Sequence, residues 1–234
     1  MEHKRLTLFA GHYGSGKTNI AVNYALHLAR QGKPVCIADL DIVNPYFRTK
    51  DSARELEDAG VTLISPQFAN SNVDLPALPA EAYRLVEDKA TYGIMDIGGD
   101  DRGAYALGRY APFIVAENNY HMAFVANCYR PLTRTPEDAL EVMREIETAC
   151  HLQFTCIINN SNLGTETTPQ TVLASMEFIQ QLSNLSGLPL WYTTAQEGVA
   201  KELVGTVYNV FPLHLQEKYF DLPSQKPGNR PLWG

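Results

Sequence analysis

Residues Gly11 to Thr18 read Gly-His-Tyr-Gly-Ser-Gly-Lys-Thr. The stretch fits the phosphate-loop pattern of Gly, four residues, Gly-Lys, then Ser or Thr. The run before it, Leu6-Thr7-Leu8-Phe9-Ala10, is short, apolar and strand-forming. The run after it, Asn19 to Gln31, carries Ile20, Tyr24 and Leu28 at helical spacing, with Ala21 and Ala25 beside them. A phosphate loop needs this strand–loop–helix setting. Its glycines let the backbone turn tightly and aim successive N–H groups at one anion. The helix that follows adds the positive end of its dipole. In this reading Gly11, His12, Tyr13, Gly14, Ser15, Gly16, Lys17, Thr18 and Asn19 cradle a nucleotide. Lys17 reaches the outer phosphates and the Thr18 hydroxyl ligates Mg²⁺. With Gly at about 7% of residues, the bare pattern arises by chance in on the order of 1% of chains this long, and its setting lowers that further.

Composition narrows the surroundings. A chain of 234 residues is long enough for one α/β domain with a large core. The net charge of −7 argues against a nucleic-acid surface, which needs clustered Lys and Arg. No apolar stretch is long enough for a signal peptide core or a membrane span. Cys36, Cys128, Cys150 and Cys156 form no Cys-x-x-Cys pair, which fits a reduced, cytoplasmic setting.

Downstream, strands and helices alternate. Val35 to Ala38 is a second buried strand, ending at Asp39-Leu40-Asp41. A carboxylate at the carboxyl end of a parallel strand lies in the ligand crevice of a doubly wound sheet. Residues 42–51 are irregular, Ser52 to Ala59 is a short helix and Val61 to Ile64 a third strand. Residues 65–78 read as a long surface loop, and Pro79 to Lys89 as a helix. Tyr92 to Asp96 is an apolar strand that runs into Ile97-Gly98-Gly99. That is the second half of a nucleotide site: Asp96 holds Mg²⁺ through its water shell, and Gly98 or Gly99 offers an N–H to the γ-phosphate. Ala104 to Tyr110 is expected as helix and Met122 to Ala126 as strand. Thr135-Pro136-Glu137-Asp138 opens a capped helix, and Phe154 to Ile158 is a strand leading to Asn159-Asn160-Ser161-Asn162. Thr168-Pro169 opens one continuous helix through Val172, Met176, Ile179 and Leu182. Leu188 to Tyr192 is expected as the last strand, followed by a short helix from Gly198 to Gly205. The pattern predicts an α/β, three-layer fold with a mostly parallel central sheet and helices on both faces. It forms a single domain over residues 1–220, with a Pro-rich extended tail over 221–234.

Together, Gly11 to Thr18, Asp39-Leu40-Asp41, Asp96-Ile97-Gly98-Gly99 and Asn159 resemble the MinD/ParA/CobQ-type group of P-loop ATPases. The nitrogenase iron protein belongs to the same superfamily. The resemblance spans roughly residues 5 to 195. It implies ATP and Mg²⁺ as cofactors and slow ATP hydrolysis, with Lys17 and Asp41 catalytic. Asp41 resembles the switch carboxylate beside the attacking water and, with Thr18 and Asp96, belongs to the metal site. Asn159 resembles the Asn that reads the adenine edge; a capping or turn role for it, or the neighbouring Asn160 in its place, is the competing reading. Guanine-selective P-loop proteins carry Asn-Lys-x-Asp at such a turn, whereas Asn159 to Asn162 offer neither Lys nor Asp.

The chief departure is His12. The group usually has Lys there, reaching across a dimer to the partner's nucleotide, and a neutral imidazole does not replace a permanent ammonium. The expectation is a monomer or homodimer without an ATP-driven sandwich, with Arg48 and Arg102 as the nearest substitute cations. The cysteine pattern of an iron–sulfur carrier and the basic amphipathic helix of a membrane-bound relative are both missing. The implied partners are a nucleotide and an unidentified protein client, with no nucleic acid and no membrane. Two alternatives to an ATPase are a nucleotide-gated binding protein, ordered by ATP at segments 42–51 and 97–103, and an ATP-dependent transferase or synthetase.

Overall fold

The computed structural model describes residues 2–40, 53–64, 80–99 and 101–215. The expected long loop and Pro-rich tail lie outside the described residues. Among the described residues, eight strands form one sheet: β1 (Leu6–Ala10), β2 (Val35–Leu40), β3 (Thr62–Ile64), β4 (Tyr92–Ile97), β5 (Tyr120–Ala126), β6 (Cys156–Asn159), β7 (Leu190–Gln196) and β8 (Val210–Leu213). Their order across the sheet is β3-β2-β4-β1-β5-β6-β7-β8. Every pairing is parallel.

The strands read as continuous apolar runs because helices cover both faces. Along β1, Leu6, Leu8 and Ala10 face one core and Phe9 the other. Two helices, α1 (Lys17–Arg30) and α2 (Ala53–Asp58), pack on the Phe9 side. Five lie on the opposite side: α3 (Arg84–Glu87), α4 (Asp101–Gly108), α5 (Ala111–Glu117), α6 (Pro136–Cys150) and α8 (Met176–Ser186). Between β6 and α8 runs α7 (Pro169–Ala174), and with α9 (Glu197–Leu203) it encloses a small third cluster around Val172, Ala195 and Leu203.

Local chemistry sets the element ends. The capping box of α6 is complete: Asp138 N–H donates to Thr135 Oγ1 at 3.1 Å, and Asp138 Oδ2 accepts from Thr135 N–H at 3.3 Å. The helix expected to run unbroken from Thr168 is divided at Ser175. Its hydroxyl donates to Val172 O at 2.7 Å and accepts from Asn159 Nδ2 at 2.9 Å. A serine that bonds back to its own helix competes with the backbone ladder there. The segment after Pro79 is not one helix; a tight turn over Ala80–Tyr83 precedes the short α3. Beyond the strand expected as the last lies β8, which the sequence pattern hides because it contains Pro212. Proline is tolerated in an edge strand, where no second neighbour needs its N–H, and β8 is the outermost strand. It is held by Asn23 of α1, whose Oδ1 accepts from His214 N–H at 2.9 Å and whose Nδ2 donates to His214 O at 3.0 Å.

The topology fixes where a ligand sits. The chain leaves β1 toward β2 and β3 on one side, returns through β4, then crosses to β5 and the remaining strands on the other. Crevices at such switch points, outside the carboxyl ends of the strands, are where open parallel sheets hold ligands.

Candidate functional site

The loop from Gly11 to Gly16 leaves β1 at this switch point. Gly14 and Gly16 have φ of 76° and 92°, in the left-handed region that glycine occupies without strain. The loop closes on itself: Ser15 N–H donates to His12 O at 3.1 Å, and Lys17 Nζ donates to the same oxygen at 3.0 Å. Lys17 is only 1% exposed, so its ammonium is folded inside the loop at the head of α1. The Ser15 hydroxyl is buried and makes no hydrogen bond among the described residues.

The ends of β4 and β6 press against this loop, and the end of β2 stands beside β4. From β4, Asp96 is buried and its Oδ2 accepts from Thr18 Oγ1 at 2.5 Å. Asp39, also buried, stands level with Asp96 on the adjacent β2. Beyond β4, Gly99 lies so close that a Cβ on it would come within 2.6 Å of Tyr13 N and 2.9 Å of Lys17 Nζ. Gly98 is packed from behind by the first turn of α4, where a Cβ on Gly103 would meet the Gly98 backbone at 2.8 Å. The third strand end is β6. Asn160 Nδ2 donates to Ser15 O at 2.6 Å, and Asn160 Oδ1 accepts from Thr194 Oγ1 of β7 at 2.6 Å. A side chain at position 16 would collide with this amide, since a Cβ there would be 2.2 Å from Asn160 Nδ2.

The structure thus brings together Gly11 to Thr18, Asp96, Gly98 and Gly99. Asn19 follows in the first turn of α1, where its backbone and side-chain oxygens accept from Asn23 Nδ2 at 2.8 and 2.9 Å. His12 contributes mainly its carbonyl; its ring Nδ1–H donates to Tyr13 O at 2.9 Å. Tyr13 stands at the rim, 54% exposed. Asn159 is fully buried: its Oδ1 accepts from Ser161 N–H at 3.1 Å and its Nδ2 donates to Ser175 Oγ. In this structure its carboxamide therefore braces the turn after β6. Asp41 and Arg48 lie outside the described residues, and of Arg102 only the backbone is described.

Two residues at the site have roles that the sequence did not disclose: Asn160, weighed there only as a rival to Asn159 for the adenine edge, and Arg130, not singled out at all. Asn160 is the latch just described. Arg130 follows β5 and lies along Gly14, where a Cβ would come within 3.7 Å of its Nε and 3.9 Å of its Cζ. The usable signal was its place just beyond a strand end that topology sets beside β1.

The four thiols do not gather. Cys36, Cys150 and Cys156 are buried, and burial pushes the Cys36 thiol up to about 11 and the Cys156 thiol up to about 12. No cluster of three or more His, Cys, Asp or Glu side chains able to hold a metal ion occurs among the described residues. No helix among them is long and apolar enough to cross a membrane.

Comparison with known proteins places these features. No family model matches the chain. Over 96 residues it is 31% identical to the cytosolic Fe-S cluster assembly factor cfd1 of Emericella nidulans, a match covering 41% of this chain and 27% of that protein. Similar solved structures include the cell division protein FtsY of Thermotoga maritima (19% identity, TM-score 0.56, 82% of this chain and 62% of that one). Chloroplast FtsY of Physcomitrella patens gives 15% identity and a TM-score of 0.57 over 85% of this chain and 61% of that one. The signal recognition particle 54 kDa protein of Aeropyrum pernix, solved with GDP, gives 16% and 0.51 over 82% and 41%. The chain thus spans about a quarter of the curated relative and some three fifths of the FtsY structures. With its glycine loop at the head of α1 and eight parallel strands, its fold is that of the P-loop NTPases.

Proposed function

We propose that the protein binds Mg²⁺–ATP in the loop Gly11 to Thr18 and hydrolyses it slowly. The observation that carries this reading is the buried Lys17 ammonium, held 3.0 Å from His12 O inside a glycine loop. A lysine confined this way can exchange its carbonyl contact for phosphate oxygens without rebuilding the core. The loop N–H groups and the α1 terminus then add their partial charges.

Thr18 Oγ1 and the Asp96 carboxylate are hard oxygen donors side by side, which suits a cation that keeps several of its waters. They would hold Mg²⁺, which when bound neutralises charge on the phosphate oxygens. Gly98 or Gly99 is the residue we assign to offering an N–H to the γ-phosphate, and Asp41 is the carboxylate we assign to orienting the attacking water. Adenine is favoured over guanine because residues 159–162 of the turn after β6 include no carboxylate. Its first carboxylate, Glu166, sits on an exposed turn further on. Guanine recognition needs an acceptor for its N1 and N2 donors, whereas an amide serves the donor and acceptor of adenine.

The test is titration of wild type and Lys17→Ala with ATP and GTP, alongside phosphate release. Loss of one charge-assisted bond predicts roughly 10- to 100-fold weaker ATP binding in the mutant. Equal affinity would overturn the assignment, and tighter GTP than ATP binding would overturn the base preference. A second reading, a nucleotide-gated binding protein, draws on the exposed Tyr13 at the rim. Tight ATP binding with phosphate release at background would favour it.

A further inference from the structure

We infer that Arg130 is a built-in cation of the phosphate site, contacting the outer phosphates of a nucleoside triphosphate from within the same chain. The inference rests on the nucleotide-binding reading above.

Topology provides the first support. β5 runs beside β1 in register, Ala10 opposite Phe124, so the segment leaving β5 emerges next to the glycine loop. The guanidinium lies along Gly14, midway through that loop. The second support is an unmet donor among the described residues. Arg130 Nε is buried without a hydrogen bond, and no ion pair involves this side chain among the described residues. An unsatisfied buried donor is costly, more so on a charged group. A phosphate oxygen removes that cost, and the planar fork of arginine matches phosphate geometry.

The third support is that the segment is held rigid. Asn127 is fully buried; its Oδ1 accepts from Tyr129 N–H at 3.0 Å. Its carbonyl accepts from Arg130 N–H at 3.1 Å and Thr133 Oγ1 at 2.7 Å. Cys128 N–H donates to Ser161 Oγ at 3.2 Å, and Tyr129 OH donates to Thr171 O at 2.7 Å. Backbone fixed on both sides presents an arginine at little entropic cost on binding. Position 12 carries histidine, so Arg130 supplies a permanent charge that the loop itself provides only through Lys17.

The experiment is competition of ATP, ADP and AMP against a fluorescent ATP analogue for wild type, Arg130→Ala, Arg130→Gln, Arg130→Lys and Lys17→Ala. Arg130→Ala and Arg130→Gln should lose roughly 10- to 100-fold in ATP affinity, least for AMP, with Arg130→Lys in between. Thermal midpoints without nucleotide should stay near wild type. ATP affinity within twofold of wild type in Arg130→Ala, while Lys17→Ala is impaired, would overturn the role of Arg130 and leave the nucleotide site standing. Equal losses for ATP, ADP and AMP would also overturn it, since they indicate a base contact or a structural role. Absence of nucleotide binding by the wild type would overturn both readings.

Discussion

Two arginines stand at opposite ends of the same sheet. Arg5, at the amino end of β1, is buried and fully engaged. Its guanidinium pairs with Glu117 at the end of α5 and donates to the carbonyls of Leu85, Asp88 and Thr91 at 2.9, 3.0 and 3.1 Å. Arg130, beyond the carboxyl end of β5, has a buried Nε without a hydrogen bond among the described residues. A guanidinium whose three nitrogens all donate to carbonyls or a carboxylate joins chain segments; here it ties β1, α3 and α5 together. One left with an unmet donor beside a glycine loop is suited to an anion that arrives later. The difference lies in partners, because both side chains carry the same charge.

Breaking the first arrangement should have the largest effect. Arg5→Ala leaves Glu117 with Lys89 as its one ion-pair partner among the described residues and strips three carbonyls of a donor. We expect a loss of about 3–5 kcal/mol in urea unfolding, with ATP affinity unchanged in the fraction that folds. A mutant as stable as wild type would show that the amino-end cluster is incidental. Next in size is Asn160→Ala, which removes the bonds to Ser15 O and Thr194 Oγ1. A cost of about 1–3 kcal/mol is expected, and here ATP affinity should fall as well, because the glycine loop loses its brace. Unfolding and binding titrations on one preparation separate the two ends of the sheet.

Acid sharpens the comparison further. The Arg5 hydrogen bonds hold the Glu117 carboxyl below its ordinary range, with Lys89 adding to the effect. A depressed carboxyl contributes stability above its unfolded value and loses it as pH falls through the folded value. The slope cannot exceed about 1.4 kcal/mol per pH unit for one proton. Wild-type stability should therefore fall below about pH 4.5 more steeply than that of Glu117→Gln; parallel curves would contradict this. The smallest effect concerns His121 at the start of β5. Burial holds its imidazole below the ordinary value, so it stays neutral in the fold while the unfolded chain takes up a proton first. Stability should begin to decline as pH drops below about 6.5, and a flat profile between pH 7.5 and 5.5 would exclude it.

The frame of the molecule was readable because parallel strands covered on both faces leave uninterrupted apolar runs, and β1, β2 and β4 were found within a residue or two of their ends. The phosphate loop and the pairing of Asp96 with Gly98-Gly99 were readable for a related reason: glycines and a carboxylate at strand ends leave a local signature. What escaped, the role of Asn160 and the place of Arg130, was set by distance in the chain. Asn160 acts on a loop that precedes it by more than half the chain, and Arg130 gains meaning only when the strand order puts β5 beside β1. The β8 strand was lost to Pro212, and the break at Ser175 to a side-chain bond that periodicity does not register. The neutral surroundings of Asn159 are likewise a product of packing, since its partner Ser175 belongs to another element.

The way β8 ends the sheet bears on how copies of the protein treat one another. Thr193 N–H takes the carbonyl of Asn209, so alternate residues of β8 turn their backbone groups toward β7 and the others outward. The outward set is Val210, Pro212 and His214. Pro212 has no N–H to offer, and Asn23 already occupies both backbone groups of His214. A foreign strand seeking to extend the sheet would find its rungs missing on this flank. The opposite flank, β3, is only three residues long. Short, blocked margins of this kind discourage strand-by-strand self-association, and a chain carrying valine at 212 and alanine at 23 would be the more aggregation-prone on concentration.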